Sequence, residues 1–340
     1  MRYLTRPQLV SLISRAYLSC DRHLCNNAFA LYQNSRIPPS THYPHLPAAS
    51  NAAQPGKLYL SFLGVTTLYL DDGQTRILID GFFSRPSKWQ ILTQKIEPDK
   101  ARITAALKRA SIAKLDAVIA VHSHYDHAMD SPEVALQTGA SVCGSESTAN
   151  ISRGWGLPEN RIQTIKHGSQ VNIGGFEFLF INADHAPTGM TGGVIPNPLK
   201  PPVRFSDYKE GQSYSLIIRH SGKAMLLQGS AGFQENQLAG QKVDIALLGI
   251  GTLGQQPQTF KEQYWQQTVG LTQPRLVIPV HWDDFTAPLA ESMPPIPWPF
   301  DDFGKSIDFL LARSAAEHRT LKMLPLLQRV DIYSALEPDA

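Results

Sequence analysis

Apolar runs with a strand-like or helix-like period begin at Lys57 and continue to the last turn of the chain. KLYLSFLG, TTLYL and TRILID are short and rich in β-branched and aromatic residues. The Asp71-Asp72-Gly73 corner between the last two is turn chemistry, so these runs are predicted to open the fold as a hairpin meander. DAVIAV, residues 116–121, is a continuous apolar run of the buried-strand type that delivers the chain directly into His122. Further strands are predicted over 175–181, 213–219, 223–228, 243–248 and 276–280. Helices are predicted over 100–110, capped by Asp99, and over 132–139, opened by Pro132 and closed by Gly139. Two more are expected over 260–269 and 305–318. Hairpins followed by alternating strands and helices predict an α/β domain with helices outside its sheets.

Upstream of Lys57 that pattern is missing. Residues 34–56 are rich in proline, serine and alanine and carry almost no charge, which reads as a linker or an arm draped on the surface. The chain is therefore expected to divide into an N-terminal arm and linker, 1–56, and one folded domain, 57–340. Arg2 and Arg6 precede an apolar stretch, and Leu18-Ser19-Cys20 has a faint lipoprotein-like look, but Arg15 interrupts the run an export signal needs. A short amphipathic helix and a cytoplasmic location are favoured over export as a lipoprotein or periplasmic protein.

Composition narrows the function classes. With 31 Lys and Arg against 29 Asp and Glu in 340 residues, there is no basic excess to draw the chain to nucleic acid or an anionic membrane. No apolar run reaches the roughly 20 residues of a spanning helix. Three cysteines, Cys20, Cys25 and Cys143, include no CxxC pair and build no disulfide scaffold. A small-molecule substrate is the expected partner; no feature of the sequence speaks to oligomeric state.

The chemistry concentrates in VHSHYDHAMD, where His122, His124, Asp126 and His127 fall within six residues at the end of a strand. A chance cluster on a surface loop is the competing reading. Eleven histidines in the chain make that improbable, and so many ligand groups converging without a counter-ion would be costly. Imidazole with carboxylate suits Zn²⁺, one ion or two, and also accepts Mn or Fe.

HSHYDH matches the HxHxDH signature, and on it the chain resembles the metallo-β-lactamase superfamily. FEFLFINADH places His185 after a strand, and RLVIPVH places His281 after a later one, where the family carries its remaining metal histidines. LGVTTLYLDDGQTRILID is similar to the family's opening hairpin. SFLGVTTLYL and HWDDF are closest in style to the branch of ascorbate-6-phosphate lactonase and N-acyl-phosphatidylethanolamine phospholipase D. The resemblance covers roughly residues 57–285. It implies a four-layer αβ/βα sandwich of two mixed β-sheets with helices outside. It also implies that His122, His124 and His185 hold one metal while Asp126, His127 and His281 hold a second, with Asp80 fixing a ligand histidine from behind. Asp126 and Asp80 are the expected catalytic carboxylates, Asp126 as the orienter or base for a metal-activated water. The implied activity is hydrolysis of an ester, lactone or phosphodiester.

One position departs from the family. In AMLLQGSAGF, Ser230 stands where a metal-bridging aspartate is usual. A neutral hydroxyl implies a weak second site, an external bridging anion, or a shifted Asp283 or Asp284. It also raises the alternative of a non-catalytic metal- or ligand-binding protein. Gly249–Gly254 satisfies GxGxxG but lacks the following helix and acidic residue of a dinucleotide site, so close backbone passage near the metal histidines is expected instead. Gln228 two positions before Ser230 rules out a nucleophile elbow. The breaker-rich stretch 186–212 reads as a lid or specificity loop whose Lys200, Arg204 and Lys209 could meet an anionic group but are read first as solvated, and Trp298 and Phe300 are candidates for a pocket wall or for packing.

Overall fold

The structure is a computed structural model that describes residues 43–49, 54, 56–189 and 191–337. The N-terminal signal or helix considered for residues 1–20 lies outside the described residues, as do Cys20 and Cys25.

Strands β1 (Tyr59–Phe62), β2 (Leu68–Asp71) and β3 (Arg76–Ile79) form the antiparallel meander. Asp72 closes its second turn by accepting from Gln74 and Thr75 N–H groups, at 2.8 and 2.6 Å. Two helices follow, α1 (Lys88–Thr93) and α2 (Lys100–Arg109), and β4 (Ala117–Ile119) then pairs parallel to β3. The short α3 (Tyr125–Ala128) and α4 (Ser131–Thr138) lead to β5 (Ser141–Gly144), and α5 (Glu146–Trp155) leads to β6 (Ile162–Thr164). The caps are the ones expected. Asp99 accepts from Arg102 N–H at 3.0 Å, Pro132 lies in the first turn of α4, and Gly139 ends that helix at φ +84°.

The second half repeats this plan. β7 (Gln170–Ile173), β8 (Phe176–Ala183), β9 (Ser213–His220) and β10 (Lys223–Gln228) are antiparallel, whereas β11 (Ile245–Gly249) and β12 (Leu276–Val280) join parallel. Helix α6 (Gln258–Trp265), extended by a π-turn to Gly270, precedes β12, and α7 (Phe303–Ala316) precedes β13 (Thr320–Leu321) and β14 (Arg329–Asp331). The sheet orders are β14-β1-β2-β3-β4-β5-β6 and β13-β12-β11-β10-β9-β8-β7. Both are mixed, as expected from the sequence.

Period-two alternation sorts the first sheet's side chains. Ile77, Ile79, Ala117, Ile119 and Val121 enter the inter-sheet core with Phe178, Leu216, Leu226, Leu247 and Ile278 of the other sheet. Leu78, Val118 and Val142 point the other way, onto Ile103 and Leu107 of α2 and Val134 of α4. Trp265, Ile307 and Leu310 pack α6 and α7 with the second sheet. Each such fully buried side chain contributes about 2 kcal/mol of transfer free energy. Tyr43–Ala49 also lies along this body: Leu46 is buried, and its N–H donates to the carbonyl of Met323 at 2.9 Å.

The parallel strands set up the site, because β3, β4, β11 and β12 all release their chains at the same edge of the sandwich. The elements without a sequence signal were α1, α5 and the short strands β5, β6, β7, β13 and β14. Tyr125–Ala128 is a helical turn where the motif reads as a loop.

Candidate metal centre

Asp80 is the first residue past β3, and its N–H donates to the carbonyl of Ile119 on β4 at 2.8 Å. Its Oδ1 accepts from Val121 N–H at 2.9 Å, tying the two strand ends together just before His122. Its Oδ2 lies 2.7 Å from Nδ1 of His127 and also accepts from the hydroxyl of Thr66. A carboxylate accepts, so Nδ1 of His127 carries the proton and Nε2 faces inward with a free lone pair. That Nε2 is 3.1 Å from Nε2 of His281 and 3.6 Å from Oδ2 of Asp126; His281 Nε2 is 3.5 Å from the same oxygen.

Two of the other three histidines also have outward partners. Nδ1 of His185 donates to the carbonyl of Ala186 at 2.8 Å, leaving Nε2 as the inward acceptor. Nε2 of His124 lies 2.8 Å from the Thr191 hydroxyl and 3.4 Å from the Thr191 carbonyl, so Nδ1 faces His122 Nε2 at 3.1 Å. The structure thus brings all six sequence-selected residues together as two groups, His122–His124–His185 and Asp126–His127–His281. Within each group the potential ligand atoms all lie within 4.8 Å of one another. The rings of His122 and His127 are 3.8 Å apart, so the two groups face a single space. His127 and His185 turn an acceptor nitrogen into this space, and Nδ1 of His281 is buried with no hydrogen-bond partner, so five imidazoles and a carboxylate converge without the donors that would satisfy them; this donor set fits a metal.

Burial, and then the surrounding imidazoles, push His122 well below its ordinary pKa. Burial likewise lowers His124 to about 4, outweighing the pull of Asp126, and lowers His185 to about 3. These rings stay neutral, as ligands must. Burial alone would raise Asp126, but His127 and His281 hold its carboxyl well below the usual range. His127 moves up: burial opposes, and the Asp126 and Asp80 charges prevail.

Residues with no sequence signal hold this array in place. His281 has φ +55°, and its N–H donates to the carbonyl of Val65 at 2.7 Å. Val65 itself sits at φ +53°, a conformation that costs a β-branched residue energy. Its N–H donates to Asp283 Oδ1 at 2.7 Å, and Asp283 is paired with the buried Arg85 at 2.8 Å. Glu210 accepts from the backbone N–H of His185 and from Ser213 Oγ. Gly251 passes so close to His281 that a Cβ there would lie 2.9 Å from its Nδ1, which accounts for the glycine-rich turn. A 3₁₀ turn over Leu253–Gln255 closes that stretch, and α6 opens only at Gln258 instead of directly from it as a dinucleotide site requires.

Two expectations are corrected. Asp283 and Asp284 do not stand in for the missing carboxylate: Asp283 is committed to Arg85 and Val65, and Asp284 accepts from Thr286 and pairs with Lys88 at 2.9 Å. Ser230 itself accepts from Ala186 N–H at 3.0 Å, next to His185. Trp298 and Phe300, 56% and 59% exposed, stand at the surface. The aromatic wall beside the histidines is instead Phe285, edge-on to the His281 ring at 6.0 Å, and Tyr125, which meets both Phe285 and Phe205 at 6.2 Å. Lys200 and Arg204 are exposed and Lys209 is half-buried; none makes an ion pair among the described residues.

The sequence profile of the Beta-lactamase superfamily domain matches residues 75–282, more than half of the chain, and spans every one of these six residues. The chain belongs to the metallo-β-lactamase superfamily. Among curated relatives, a UPF0173 metal-dependent hydrolase of Staphylococcus aureus is 27% identical over 246 residues, covering 69% of this chain and 89% of the relative. Among solved structures, Igni18, a metallo hydrolase from Ignicoccus hospitalis, shares the fold with a TM-score of 0.50 at 18% identity, over 81% of this chain and 97% of that one. CmlA, a diiron beta-hydroxylase from Streptomyces venezuelae, has the same TM-score of 0.50 at 14% identity, over 81% of this chain and 54% of its own. No helix among the described residues is long and apolar enough to cross a membrane.

Proposed function

We propose that this chain is a metal-dependent hydrolase in which His122, His124 and His185 hold one ion and Asp126, His127 and His281 a second. Zinc is the first choice, because five imidazoles and one carboxylate are a nitrogen-rich borderline set; iron or manganese would also be accepted. The observation that carries the proposal is the tautomer pattern, in which outward partners of His124, His127 and His185 turn their lone pairs into one space. The hydrolase names of the curated relatives support it.

Bound metal would supply a water acidified to a pKa of about 7 and a Lewis acid for the electrophile. The protein does the rest. Asp126, held ionised, would help hold the metal and orient that water through its carboxylate. Asp80 keeps His127 in one tautomer and one orientation. Tyr125, Phe205 and Phe285 form an apolar wall that seats the organic part of the substrate and excludes bulk solvent. The substrate proposed is an ester, lactone or phosphodiester.

Aryl esters, simple lactones and bis(p-nitrophenyl) phosphate are the test set. At least one should turn over, with activity lost to a chelator and restored by Zn²⁺. No turnover of any of the three by metal-replete protein would contradict the hydrolase reading.

A further inference from the structure

The two ligand groups differ in charge. His122, His124 and His185 offer only imidazoles, which bind a metal in the neutral form, whereas the other group contains the Asp126 carboxylate and is backed by Asp80 at 2.7 Å from His127. Two divalent cations in this space would bring four positive charges against two carboxylates, only one of which reaches them directly. The neighbouring carboxylates are committed elsewhere. Asp283 serves Arg85 and Val65, Asp284 serves Lys88 and Thr286, and Glu210 serves Ser213 and the His185 backbone. At the end of β10, beside His185, the buried side chain is the neutral Ser230, whose hydroxyl is taken by Ala186 N–H. Even with one hydroxide from a bound water, such an excess of like charge in a buried site is strongly unfavourable, and a further mobile anion is the remaining way to lower it.

We infer that an anionic oxygen group of the substrate, a carboxylate or a phosphate, completes this site, and that the all-histidine group holds its ion weakly until that group arrives. The inference rests on the metal-dependent reading above and adds a substrate class to it. Neutral esters then bind poorly, whereas substrates with a carboxylate or phosphate near the scissile bond bring the missing charge with them. Asp126, His127 and His281 form the tighter site, loaded first.

The test is a titration of metal-stripped protein with Zn²⁺ by calorimetry, in a buffer free of oxyanions, at matched free Zn²⁺ with and without millimolar inorganic phosphate or acetate. The expected result is one tight equivalent and a second at least about tenfold weaker. The second should tighten about tenfold or more with one of the two anions, and the anion that acts identifies the group. His122→Ala should remove the anion-dependent equivalent and leave the tight one. Ser230→Asp should bind two tight equivalents with no anion dependence; the wild-type titrations decide the matter even where that variant fails to fold. Two equal equivalents without added anion, or a weak second site that neither anion tightens, would overturn the inference while leaving the hydrolase reading intact. Absence of any Zn²⁺ binding would overturn both.

Discussion

The carboxylate of Asp80 meets the imidazole of His127 at 2.7 Å although the two residues lie 47 positions apart, and the same side chain ties β3 to β4 through Val121 N–H. One residue thus sets both the spacing of two strand ends and the tautomer of a histidine in the candidate metal site. Asp80→Asn keeps the shape and removes the charge. Its affinity for Zn²⁺ should fall by about tenfold, and that of Asp80→Ala by up to about a hundredfold, the usual range for partners of metal-bound histidines. Competition with a chromophoric chelator reads this directly, and unchanged affinity in both variants would remove Asp80 from the account.

The Arg85–Asp283 pair is buried on both sides, and through Val65 it fixes the backbone of His281. Removing one partner leaves a charge without solvent or counter-ion, so Asp283→Ala should lose about 3–5 kcal/mol of stability in urea unfolding. Replacing both, Arg85→Met with Asp283→Leu, should cost less than the single change. A single-variant loss below about 1 kcal/mol would mean the pair is not buried as described.

The six candidate ligands were legible because four of them fall in one short motif and the other two, His185 and His281, stand after strands in register with the family that motif resembles. Asp80 was legible for the same reason, as the end of TRILID. Thr66, Val65, Arg85, Thr191 and Glu210 were not, because each acts through a contact made only when distant loops meet. A threonine in LGVTT or an arginine after a phenylalanine pair carries no local pattern that marks it. The fold class followed from strand and helix periods. The strands β5, β6, β7, β13 and β14 read SVCG, IQT, QVNI, TL and RVD, without the apolar runs that mark the equally short β1 to β4. The wall at Tyr125 and Phe285 was missed because both rings sit beside ligands that absorbed the reading, whereas Trp298 and Phe300 stood out by composition alone.

Burial pushes Asp301 up to about 6 even though it accepts from the backbone N–H groups of Asp302, Thr252 and Gly254. Between pH about 4 and 6 the native state keeps a proton that the unfolded chain has released, so this residue's contribution is present in acid and is lost as pH rises through about 6. Asp301→Asn does not titrate. Relative to wild type it should gain roughly 2 kcal/mol between pH 4 and pH 7.5, at about 1.4 kcal/mol per tenfold change in proton affinity. Paired urea unfolding curves at the two pH values check this; a constant difference would contradict it.

Phe285 stands edge-on to His281 and meets Tyr125, so its ring shapes the space where an organic group would rest. Phe285→Ala should lower kcat/KM for aryl substrates by about tenfold, equivalent to about 1.4 kcal/mol, while leaving bound metal unchanged. Equal kcat/KM for aryl and small alkyl substrates in both proteins would place the substrate elsewhere.

The most direct measurement is elemental analysis of the protein purified without chelator, alongside the double variant His122→Ala, His124→Ala. Wild type should carry at least one equivalent of a transition metal, with zinc the expected ion, and the variant should keep only what the Asp126–His127–His281 group holds. A well-folded wild type that contains no transition metal and takes up none on dialysis against Zn²⁺ would contradict the central claim.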